Sequence, residues 1–141
     1  MGTGKRILRY RKAKGLTQKQ LAEKIGASES SVRLYELELR NPGKEQVKAL
    51  AKALEISPAA LADYDFETSR QILEALFRLE ETVGLTPTST KDGLALTIDP
   101  AAPQAQKLTQ SLKAWQKMHD KYTSEEIGEE EYEAWKASFG V

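Results

Sequence analysis

The chain has 141 residues, 40% of them hydrophobic and 30% charged, with 21 Lys and Arg balancing 21 Asp and Glu, which suits one globular domain or a small domain with an appendage. It contains no cysteine, which excludes a disulfide framework and thiolate zinc or iron–sulfur sites and points to a reducing compartment. No apolar run approaches the roughly 18–20 residues of a membrane span, and the opening MGTGKRILRYRK lacks the apolar core of a signal peptide, so the expectation is a cytoplasmic protein with no membrane partner.

The neutral total hides an asymmetry. Residues 1–56 carry 13 Lys and Arg against 6 Asp and Glu, whereas the other 85 carry 8 against 15. That split reads as a basic module that meets an anion followed by an acidic one with a different task, the alternative being an ordinary solvated face.

In chain order, GKRILRYRKAKG predicts a basic helix with Ile7 and Tyr10 inward and Gly15 as its stop. LTQKQLAEKIG restarts at Thr17, whose hydroxyl can cap free backbone N–H groups, buries Leu21, Ala22 and Ile25, and ends at Gly26. A third helix runs from a Ser28 cap to about Leu37, with Val32 and Tyr35 inward. Beyond the RNPG break, KEQVKALAKALEI places Val47, Leu50, Ala51 and Leu54 on one stripe, and SPAALADYDF gives a short helix with Ser57 as cap and Pro58 at its first position.

The pattern then changes. ETSRQILEALFRLEETVG is amphipathic through Ile72, Leu73, Leu76, Phe77, Leu79 and Val83, ending at Gly84. LTPTSTKDGLALTID alternates at Leu94, Leu96 and Ile98 around an Asp92-Gly93 turn, which predicts a β-hairpin with strands near 85–89 and 94–98. An isolated hairpin is marginal in water and needs a helix or a second copy to lean on. DPAAPQ reads as a linker. From Ala105, Leu108, Leu112, Trp115, His119 and Tyr122 mark a helix of roughly 19 residues, and after EEIG a last helix carries Tyr132, Trp135 and Phe139 on one side, with Glu129–Glu131 at its favourable N-terminal end. The expected fold is mainly α: a five-helix domain over 1–66, then a helix, a hairpin and two C-terminal helices over 67–141.

Two short helices, Thr17–Ile25 and Ser28–Leu37, joined across GAS have the dimensions of a helix-turn-helix, in which the second helix enters the major groove; plain bundle packing is the alternative. The run RYRKAKGLTQKQLAEKIGASESSVRLYELELRNPGKEQVKALAKALEIS resembles the Xre, Cro and phage-repressor family of DNA-binding domains over about residues 5–63. GLTQKQLAEKIG, the Glu of YE, and RNP followed by LAKALEIS fall in register without gaps. The resemblance implies a lambda-repressor-like fold and roles at matching positions. Gln18 would bond a phosphate at a helix N-terminus, and Arg40, Asn41, Gly43 and Lys44 would hold a second phosphate region. Glu29, Ser30, Arg33 and Leu34 would face base edges: Arg33 pairing with guanine or, alternatively, reaching a phosphate; Leu34 meeting a thymine methyl; Glu29 accepting from cytosine N4, repelling phosphate, or simply sitting exposed at the helix start. Glu36 would pair internally with Arg11.

Three features depart from the family. Glu38 stands where a glycine usually closes the recognition helix, so the helix is expected to run on or to end irregularly rather than in a left-handed cap. Lys44 replaces a commonly apolar residue. Leu37 and Leu39 make the helix end unusually apolar and are expected to pack on another part of the chain.

His119 reads as a packed or half-exposed side chain, and no metal site, cofactor site or catalytic constellation is expected. The predicted function is a sequence-specific transcriptional regulator, with repression as the expected sense, of bacterial or phage type, binding double-stranded operator DNA as a homodimer. Leu94, Leu96, Ile98, Trp115, Tyr122 and Trp135 are the candidate dimer or interaction residues. The alternatives are an antitoxin-like module whose C-terminal half binds another protein, and a regulator that senses a small-molecule effector. The C-terminal half also resembles tails of uncharacterised Xre-type regulators, which implies no known activity.

Overall fold

The computed structural model describes residues 1–140, and their contacts divide into two units: Met1–Tyr64 together with the segment from Ile127 onward, and Asp65–Glu126. The described residues form eight helices and one two-stranded antiparallel sheet.

In the first unit α1 (Thr3–Ala13), α2 (Gln18–Ile25), α3 (Glu29–Glu36), α4 (Lys44–Leu54) and α5 (Pro58–Leu61) surround one core. Local chemistry sets the boundaries. Thr17 caps α2 through a reciprocal box, its hydroxyl accepting from the Gln20 N–H at 3.0 Å while the Gln20 side chain accepts from the Thr17 N–H at 2.8 Å. Gly26 closes the helix at φ +65°. Ser28 caps α3 and Ser57 caps α5, whose first residue is Pro58. Ile7, Leu21, Val32, Leu50 and Leu61 are fully buried, each contributing about 1.5–3 kcal/mol of apolar burial.

The last helix, α8 (Glu129–Ser138), belongs to this first unit. A boundary at 66/67 had grouped it with the C-terminal region, but Ala137 enters the first unit's core cluster and the Ser57 N–H donates to the Ala137 carbonyl at 2.8 Å. Glu133 bridges Arg9 at 3.0 Å and Lys136 at 2.6 Å. The expected stripe is also re-aimed: Tyr132 and Ala137 are the buried residues, while Phe139 is 43% exposed.

The second unit holds α6 (Ser69–Val83), β1 (Leu85–Thr90), β2 (Gly93–Ile98) and α7 (Ala105–Thr123). Thr68 and Gln71 form a capping box at the start of α6. Gly84 closes α6 at φ +64°, and a Cβ there would also press on Asp99 and Ala102, so both backbone and space call for glycine. The two turn residues of the hairpin are Lys91 and Asp92, not Asp92-Gly93; Gly93 opens β2 and spends its freedom on a φ of +126°. Among the described residues of this unit only Val83 and Ala105 are buried.

Candidate nucleic-acid interface

α2 and α3 are joined by the three residues Gly26–Ser28 and bury Leu21, Ala22, Val32 and Tyr35 against the core. The opposite side of α3 is open. Glu29, Arg33 and Leu37 recur every four residues, which lines them up along one exposed row, with Ser30 exposed and Leu34 half-buried beside it. This row carries an acceptor, a bidentate donor and an aliphatic group, the three kinds of contact that distinguish base pairs in a major groove.

Leu37 and Leu39 do not pack on the rest of the chain; they are 53% and 73% exposed. The backbone explains why. The Glu38 N–H donates to the Tyr35 carbonyl and the Leu39 N–H to the Leu34 carbonyl, both at 3.0 Å. Glu38 takes φ +58°. That is the Schellman closure the missing glycine had argued against, and it turns the chain outward before Leu39. The Glu38 side chain lies over Gly2 and Gly4 at the start of α1, where a Cβ would strike it. At Gly4 a Cβ would also collide with the Tyr35 carbonyl.

Beneath the row, Arg11 and Glu36 are both buried. Arg11 donates through Nε to Glu36 Oε1 at 2.5 Å and through Nη2 to Oε2 at 3.0 Å, with Nη1 on the Leu16 carbonyl at 2.6 Å. The hydrogen bond to Glu36 holds the Arg11 guanidinium above its ordinary range, against the opposing effect of burial and helped by the Glu36 charge. Glu36 Oε2 also accepts from Gln18 Nε2 at 2.8 Å. The side chain that begins α2 is thereby held from behind by the helix α3, a link that family position alone did not reveal.

On the other flank Arg40, Asn41, Gly43 and Lys44 are exposed. Gly43 caps α4 without a side chain, which leaves the first amides of that helix open to an acceptor. The Arg40 guanidinium lies 5.8 Å from the centre of the Tyr35 ring, within cation–π range, so a core aromatic of α3 steadies the loop. The sequence signal for this was available: Tyr35 and Arg40 flank the short helix end.

The remaining candidates fall on three elements. Leu94 and Leu96 are 83% and 52% exposed on β2, Ile98 is half-buried, and Trp115 is 49% exposed on α7 with Tyr122 half-buried. Trp135 is on α8 of the first unit, its ring centre 5.0 Å from that of Phe139. Among the described residues no group of three or more His, Asp or Glu side chains is placed to hold a metal ion, and no helix is long and apolar enough to cross a membrane.

Comparison with known proteins matches a family model described as helix-turn-helix to residues 7–61. Over 94% of its length the chain is 26% identical to the whole of the immunity repressor protein of Bacillus phage phi105. It is 32% identical to the P22 c2 repressor solved in complex with a synthetic operator, across 46% of this chain and 98% of that one, with a TM-score of 0.44. With the N-terminal DNA-binding domain of SinR from Bacillus subtilis it shares 35% identity across 46% of this chain and 96% of that one, with a TM-score of 0.42. Residues 7–61 form a helix-turn-helix domain of the Xre and lambda-repressor type.

Proposed function

We propose that this protein is a sequence-specific repressor that binds operator DNA as a homodimer, placing α3 of each copy in a major groove. The observation that carries the reading is the exposed row Glu29, Arg33 and Leu37 on a helix braced by a buried ion pair, flanked by Gln18 on one side and the open N-terminus of α4 on the other. Arg33, Ser30, Glu29 and Leu34 would meet base edges. Gln18, Arg40, Asn41, Gly43 and Lys44 would meet phosphates, which fix position but carry no sequence information. The +7 charge of residues 1–56, set by 13 Lys and Arg against 6 Asp and Glu, supports attraction to the duplex.

The homodimer rests on the second unit. Its Ile72, Leu73, Phe77 and Leu79 on α6 and Leu94 and Leu96 on β2 are 41–83% exposed, large apolar side chains that a second copy would cover. A two-fold pair of helix-turn-helix units also reads half-sites about one helical turn, roughly 34 Å, apart.

Selecting bound duplexes from a random pool tests both. The expected result is an inverted repeat; no enrichment over random DNA at moderate salt would end the reading of a specific regulator. Arg33→Ala is expected to cost about 1–3 kcal/mol and relax preference at one base position. A uniform loss across all sequences would move Arg33 to the phosphate group.

A further inference from the structure

The hairpin has two outer edges of different character. The Asp99 N–H donates to the Gly84 carbonyl at 3.1 Å, which makes 84 and 99 a hydrogen-bonded pair, and such pairs alternate along an antiparallel ladder. With the observed register, Thr86 and Thr97, Thr88 and Ala95, and Thr90 and Gly93 are the bonded pairs. Leu85, Pro87 and Ser89 on β1, and Leu94, Leu96 and Ile98 on β2, therefore turn their backbone groups away from the hairpin.

On β1 the middle of that outward row is Pro87, which has no N–H and closes the edge to further pairing. On β2 all three outward residues have donor and acceptor. The strand GLALTI contains no charge, no proline and no bulge, the sequence devices that ordinarily protect an edge. Its outward residues also share one face, where Leu94 and Leu96 are 83% and 52% exposed.

We propose that β2 pairs antiparallel with β2 of a second copy, about a two-fold axis through Leu96, to make a four-stranded sheet. Leu96 then faces Leu96 of the second copy and Leu94 faces Ile98, with about six new inter-strand hydrogen bonds. The pairing is self-complementary, as an isologous contact requires. It brings the Leu94, Leu96 and Ile98 side chains of both copies onto one apolar face. It also terminates: the outer edges of the new sheet are the two β1 strands, each closed by Pro87, so assembly stops at two copies and does not run on into a fibre. The inference rests on the homodimer reading and assigns that dimer a specific contact.

The chain has no cysteine, so one introduced thiol reports on its own copy alone. Hydrogen-bonded antiparallel partners have Cα atoms about 5.5 Å apart, inside the range a disulfide spans. Leu96→Cys in the full chain is expected to yield a covalent two-chain species under mild oxidation, while Ser89→Cys on the closed edge stays single. Leu94→Cys mixed with Ile98→Cys is expected to link, and Leu94→Cys alone is not. Equal linking at positions 96 and 89 overturns the proposal, with far-ultraviolet circular dichroism checking that each variant keeps its helices. Light scattering on the unsubstituted chain separates the two levels. A two-chain mass without a Leu96→Cys link leaves the homodimer standing and removes this interface. A one-chain mass at tens of micromolar removes both, and is also the outcome if the edge accepts only a foreign extended peptide.

Discussion

Glu36 serves two partners at once, since the carboxylate that neutralises Arg11 also fixes the Gln18 amide. Glu36→Ala leaves the Arg11 charge buried without its counterion and is expected to cost about 3–5 kcal/mol, read from urea unfolding of the full chain. Two residues away, Glu38 occupies a left-handed conformation that costs an L side chain about 1–2 kcal/mol. Glu38→Gly relieves that cost and Glu38→Ala does not, so the glycine variant is expected to be the more stable of the two by about 1 kcal/mol in the same measurement. Gly4→Ala drives a methyl at the Tyr35 carbonyl and is expected to destabilise by about 1–3 kcal/mol. Of these features, the Arg11–Glu36 pair was legible because family register places both residues. The cap at Glu38 was not: propensity disfavours it, and what accommodates it is the absence of side chains at Gly2 and Gly4, more than thirty positions earlier in the chain.

Helix starts and stops in the first unit were readable because Thr17, Gly26, Ser28 and Ser57 act through their own neighbours. The seat of α8 was not readable. Its strongest sequence signal, the large rings of Tyr132, Trp135 and Phe139, gives a direction for the helix, yet its place is fixed by the small Ala137, the backbone bond to Ser57 and the Arg9–Glu133 bridge. None of these carries a periodic pattern. Ala137→Leu should therefore weaken the DNA-binding unit itself, by about 1–3 kcal/mol, with hydrogen exchange in α1 and α5 quickening; unchanged protection there would mean that α8 adds nothing to that unit. In the hairpin, alternation gave the facing of Leu94, Leu96 and Ile98, but the direction of each backbone N–H depends on ladder phase, which no single strand encodes.

At the scale of the whole molecule, the charge division seen in composition follows the fold only in part. The acidic run Glu129–Glu131 lies on α8, within the same unit as the basic α1. The net attraction of that unit for DNA is accordingly smaller than residues 1–56 alone imply. A consequence can be measured in the salt dependence of binding, whose slope grows by about 0.9 per phosphate contact neutralised. Replacing Glu129, Glu130 and Glu131 by Gln is expected to raise nonspecific affinity at low salt, with little change in base preference; a changed consensus would place these residues at the bases.

The chain leaves the DNA-binding unit at Tyr64 and comes back to it at Ile127. During synthesis that unit waits: the ribosome must add at least the 74 residues from Asp65 to Ser138 before α8 can take its seat, roughly 4–15 s at ordinary elongation rates. For that interval the five-helix domain must persist on a core near the lower size limit for independent folding. The final stability of the DNA-binding unit is therefore completed by a segment that emerges only after the whole second unit.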